Sequence, residues 1–101
     1  MPVDISLHTQ DHGRLDTVVY PREATRDLIP YGDDAYPLLS AMDPGDYTFF
    51  AQAQMPEFLA EWRRLLSAAE TPDDKEFLTR VEKLAERCAA EPGCYLKFDG
   101  D

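Results

Sequence analysis

Two amphipathic runs that follow one another with only a short break between them constrain the fold of this chain more than any other feature. Phe58, Leu59, Trp62, Leu65, Leu66 and Ala69 recur at helical spacing and leave Glu61, Arg63, Arg64 and Glu70 on the other side. Pro56 opens that run where a missing N–H costs nothing, and Glu57 complements the helix dipole. Phe77, Leu78, Val81, Leu84, Ala85 and Cys88 form the apolar face of a second helix, which Pro92-Gly93 ends. Between the two, Thr71-Pro72-Asp73-Asp74 is a helix start. The threonine caps free amides, the proline fills the first helical position, and Asp74 reaches back three residues. A break this short forces an antiparallel helical hairpin.

The rest of the chain supplies strands to cover that hairpin. Val3, Ile5 and Leu7 alternate with Asp4, Ser6 and His8, and a second alternation runs from Leu15 to Tyr20. Gln10-Asp11-His12-Gly13 between them carries turn formers, so residues 3–20 read as a β-hairpin. Tyr47-Thr48-Phe49-Phe50-Ala51 follows a turn and reads as a third strand, whose aromatic content points to an interior place in the sheet. Cys94, Leu96 and Phe98 alternate with Tyr95, Lys97 and Asp99 in a fourth. The order β-β-β-α-α-β predicts a single α+β domain over residues 1–101: a mostly antiparallel four-stranded sheet with a helical hairpin packed on one face. Strand order is left open. Residues 21–46 connect the hairpin to the strand-helix-helix-strand unit of 47–101. In the connection, Arg22 to Leu28 form a short helix that Pro30 stops, and turn signals at Tyr31-Gly32-Asp33-Asp34 and Asp43-Pro44-Gly45-Asp46 flank an apolar island, Tyr36 to Met42, with one helical turn.

Ten Lys and Arg against twenty Asp and Glu give a net charge of −10. Such a body repels nucleic-acid phosphates and anionic membranes and attracts basic surfaces, although charge also serves solubility alone. The N-terminus lacks a basic segment followed by an apolar run, and no stretch approaches a membrane span, which predicts a cytoplasmic protein with free thiols at Cys88 and Cys94. Cys88 falls on an apolar helix face and reads as inert; Cys94, beside a turn, reads as the more reactive of the two.

Little in the sequence resembles a catalytic or ligand-holding constellation. His8 and His12 lie at a spacing that suits a helix face, not a strand entering a turn, and read as ordinary histidines. Ser6, Ser40 and Ser67 sit in no nucleophile motif, and the glycines are isolated turn residues that build no phosphate cradle. Asp33, Asp34, Asp43 and Asp46 do not match calcium-loop spacing and read as turn formers. No cofactor or metal is expected. Tyr31, Tyr36 and Tyr47, interleaved with these acids, are amphipathic anchors on a segment that either recognises a partner or covers one end of the core.

Asp43-Pro44-Gly45-Asp46-Tyr47-Thr48-Phe49-Phe50, then Gln54-Met55-Pro56 and a terminal Tyr95-Leu96-Lys97-Phe98-Asp99-Gly100-Asp101, resemble a group of small uncharacterised bacterial proteins. In that group an Asp-Pro-Tyr-Gly-Asp turn precedes a strand and a Gln-Met-Pro helix start; the tyrosine of that turn is missing here. The resemblance spans residues 38–101. It implies a bacterial origin and the strand-helix-helix-strand order, and brings no activity.

The leading expectation is a non-enzymatic acidic module that docks a basic protein, as small immunity proteins and inhibitors do for toxins acting on nucleic acid. Tyr31, Asp33, Asp34, Tyr36, Asp43 and Asp46 are its candidate contacts, without direct nucleic-acid or membrane binding. Two alternatives stand beside it: a small enzyme using clustered carboxylates or the Cys94 thiol, and a homodimer built through an exposed sheet edge.

Overall fold

A computed structural model of the protein describes residues 3–9, 13–19, 28–43 and 46–100. Strands β1 (Val3–Thr9) and β2 (Gly13–Val19) form the N-terminal hairpin, β3 (Tyr47–Ala51) leads through a 3-10 turn (Gln52–Gln54) into helix α1 (Met55–Ala68), and helix α2 (Pro72–Ala90) returns the chain to β4 (Cys94–Gly100). The four strands make one antiparallel sheet in the order β2-β1-β4-β3. Both helices lie on one of its faces, α2 over β1, β2 and β4 and α1 over β3. The short helix expected over Arg22 to Leu28, the turn residues Gln10 to His12 and the Pro44-Gly45 pair lie outside the described residues, Leu28 excepted.

The interior place expected for β3 is corrected: it is an edge strand, and the C-terminal strand β4 lies between it and β1. Aromatic and β-branched content reports fit to a pleated, half-buried surface, and an edge strand offers that as well as a central one. The hairpin register shifts by one residue between Leu7 and His8, so Leu7 opposes Asp16 and His8 opposes Arg14. Leu15 falls in the shift, a bulge that bends the β2 end of the sheet. Gly13, at φ 72°, supplies the left-handed conformation that opens β2.

The core fills the space between sheet and helices. Ile5, Leu7, Phe50, Leu96 and Phe98 point inward from the sheet and are essentially fully buried. Phe98 touches three rings, with centroids 5.5 Å from Phe50, 5.9 Å from Phe58 and 5.9 Å from Trp62. Phe58 stacks on Trp62 at 5.3 Å, and the Trp62 Nε1–H donates to the Leu78 carbonyl across the helical hairpin at 2.8 Å. The indole thus buries its apolar body without stranding its polar atom.

The helix ends follow the sequence in detail. Thr71 Oγ1 accepts from the Asp74 N–H at 3.1 Å, and the reciprocal bond from the Asp74 side chain is absent among the described residues. At the far end of α2 the Gln52 amide donates to the carbonyls of Cys88, Ala89 and Glu91, which satisfies acceptors that a helix C-terminus leaves open. Gly93, at φ 82°, turns the chain into β4. Among the described residues no helix is long and apolar enough to cross a membrane.

Candidate functional site

The connecting segment is held down by two side chains of α1. Glu61 is buried, and its carboxyl oxygens accept from the Leu38 N–H at 3.1 and 3.0 Å and the Leu39 N–H at 3.0 Å, capping the 3-10 turn at Leu39–Ala41. Arg64 donates to the Ala35 carbonyl at 2.7 Å and lays its guanidinium 4.5 Å over the Tyr36 ring. The expectation that Glu61 faces outward is therefore corrected. It stands three residues after Phe58 and four before Leu65, which puts it on the apolar stripe. Its spacing carried that signal, and its charge hid it.

The candidate residues fall into two groups. Tyr31 and Tyr36 are half-buried and packed against the core, so both tyrosines cover it. Asp33 accepts from the Ala35 N–H at 2.9 Å in a local turn, while Asp34 is exposed and makes no ion pair among the described residues. These four lie against α1. Asp43 and Asp46 lie instead at the entrance to β3, where the Asp43 N–H donates to Thr48 Oγ1 at 3.2 Å and Asp46 accepts from the Tyr47 N–H at 2.7 Å. Next to Asp46, the start of β3 meets two further acids of the sheet that are not among the candidate residues. Asp4 of β1 is directly opposite Asp99 of β4, and Asp99 is directly opposite Tyr47 of β3.

That acidic corner borders the sheet face that, among the described residues, carries no helix. Tyr47 and Phe49 are 54% and 56% exposed there. Their rings are 6.5 Å apart, Phe49 meets the edge of Tyr95 at 5.9 Å, and Tyr95 stacks on His8 at 5.3 Å. Lys97, opposite both Phe49 and Ser6, places its ammonium 4.2 Å over the Tyr47 ring. Burial and the neighbouring Lys97 and Arg14 push the His8 pKa below its ordinary value, and among the described residues His8 Nε2 is buried without a hydrogen-bond partner. The available signal for this face was that Tyr47-Thr48-Phe49-Phe50 places aromatics at both parities of a strand, which puts Tyr47 and Phe49 on one face and Phe50 on the other.

Charge is distributed unevenly. On the helical hairpin Arg63 bridges Glu82 at 3.0 Å and Glu86 at 3.1 Å, Arg80 pairs with Glu76 at 2.7 Å, and Arg87 pairs with Glu91 at 3.0 Å. Asp4, Asp34, Asp46 and Asp99 make no ion pair among the described residues, and neither do Glu57, Asp73 and Asp74 of the helices. The β3 edge is blunted as well. Asp46 occupies the Tyr47 N–H, and Gln54 Oε1 accepts from the Ala51 N–H at 2.8 Å. These alternate positions lie on the strand side away from β4, which leaves Phe49 between them as the open donor for an added strand.

Neither thiol is exposed. Burial pushes the Cys88 thiol from 9.0 up to about 11. Cys94 is 4% exposed, its pKa is raised by burial and by Glu91, and its Sγ–H donates to Glu91 Oε2 at 3.8 Å. Both sulfurs are enclosed and held towards the protonated form, which favours a structural role for each. Among the described residues no three His, Cys, Asp or Glu side chains gather as a metal would require. Among the described residues, open clefts include one of about 240 Å³ beside Val19, Asp73 and Arg80 and one of about 260 Å³ between Asp33, Tyr36 and Leu65. Both are smaller than the ~300–1,000 Å³ usual for ligand pockets. Compared with known protein families, curated proteins and solved structures, the chain matches none of them.

Proposed function

We propose that this protein is a non-enzymatic, cytoplasmic binding module that docks a basic protein, in the manner of immunity proteins and inhibitors that mask nucleic-acid-acting toxins. The observation that carries the reading is the asymmetry of its charge. Glu76, Glu82 and Glu86 of α2 and Glu91 at its end are answered by arginines, whereas Asp4 and Asp99, opposite one another in the sheet, and Asp46, just before β3, make no ion pair among the described residues. Evenly compensated charge maintains solubility; uncompensated carboxylates at one corner of a −10 body produce a directed field that steers a cationic surface toward it.

The test is affinity capture on the immobilised protein in low and high salt, beside a variant in which Asp33, Asp34, Asp43 and Asp46 are all asparagine. The expected result is a basic protein retained by the native chain in low salt, released in high salt and lost by the variant. Retention that ignores both salt and the four substitutions would remove the reading.

A further inference from the structure

We infer that the sheet face that carries no helix among the described residues is the seat of the partner's cationic side chains. Resting on the proposal above, this places arginine or lysine groups of a basic protein against Tyr47, Phe49 and Tyr95, with Asp4, Asp46 and Asp99 beside them. Three observations lead there. Tyr47 and Phe49 are adjacent and each more than half exposed, and contacts through Phe49, Tyr95 and His8 make one aromatic strip. The strip already takes a cation, since the Lys97 ammonium lies 4.2 Å over the Tyr47 ring. Asp4 and Asp99 face each other across β1 and β4, a like-charge pairing that costs stability and that a docked cation relieves.

The sign of the charge selects the occupant. Aromatic rings on an open sheet also stack nucleic-acid bases, but phosphates would approach a −10 body beside Asp4 and Asp99. A second copy would bring the same ten negative charges and the same aspartate pair. A cationic protein segment is attracted by the acids and held by the rings. Lys97 is then an internal competitor: its ammonium occupies the ring that the partner's cation needs.

The experiment is a low-salt titration of the isotopically labelled protein with an oligoarginine peptide, followed through its amide resonances. Shifts centred on Tyr47, Phe49, Tyr95 and Asp99 are expected. Tyr47→Thr with Phe49→Thr should weaken binding by about tenfold or more while the thermal midpoint is kept. Lys97→Met should tighten binding more than Lys83→Met, which changes the net charge equally from the exposed side of α2. Equal effects of the two lysine substitutions would overturn the site. So would shifts confined to residues 33–36 or to the helices, and both results leave the basic-partner reading standing. Tighter binding of an oligothymidylate to the strip, or resonance shifts there on raising protein concentration alone, would replace the cationic segment by a nucleic acid or a second copy. Absence of peptide binding together with failure of the capture experiment would remove both proposals.

Discussion

The two faces of the sheet are made by the same strands and are rich in the same residue types, yet they serve opposite ends. On the covered face Phe50, Phe98, Phe58 and Trp62 interlock and are at most 2% exposed. On the open face Tyr47 and Phe49 touch only at ring edges and remain more than half exposed. The first set stabilises the fold by removal from water, about 25 cal/mol per Å² of apolar surface. The second gains little from folding and keeps its apolar area for another molecule. Position in the sheet, not residue type, decides which aromatic is structural and which is available.

The contrast can be broken most easily from the covered side. Trp62→Ala removes the largest fully buried side chain and its bond to the Leu78 carbonyl, and should cost about 3–5 kcal/mol in urea unfolding followed by circular dichroism. A cost below about 1 kcal/mol would mean that the two faces do not differ as described. Glu61→Ala strands the Leu38 and Leu39 amides that its carboxyl group accepts from, and should cost about 1–3 kcal/mol. Hydrogen exchange at those two amides should accelerate beyond the global change. Unchanged exchange there would show that α1 does not pin the connecting segment. The smallest effect belongs to the open face, where Phe49→Thr keeps a strand-forming residue and should cost less than about 1 kcal/mol. A larger loss would make Phe49 part of the core and withdraw it from any docking role.

The helical hairpin was the most legible part of the sequence, and its local signals explain why. Every residue assigned to the apolar face of α2, from Phe77 to Cys88, is buried, and Thr71 caps that helix as its position predicts. Period and capping act over three or four residues, so they survive in the sequence. The candidate site was legible only in part. The acids of the connecting segment were visible, but their division between α1 and the start of β3 was not, nor was the cross-strand alignment of Asp4 and Asp99 with Tyr47. Glu61 lies on the buried stripe despite its charge, because spacing along the helix outweighs side-chain type.

By itself the sequence determined the elements, their order and the sign of the protein's charge, all of which follow from short-range periodicity, caps and composition. Only the tertiary structure decided that β4 inserts between β1 and β3. That choice makes β3 an edge, sets Asp99 between Asp4 and Tyr47, and, among the described residues, leaves one aromatic face without a helix. The physical reason is that strand pairing joins residues far apart along the chain. Alternation says that a strand has two faces, but not which neighbours it meets or which face the helices will cover.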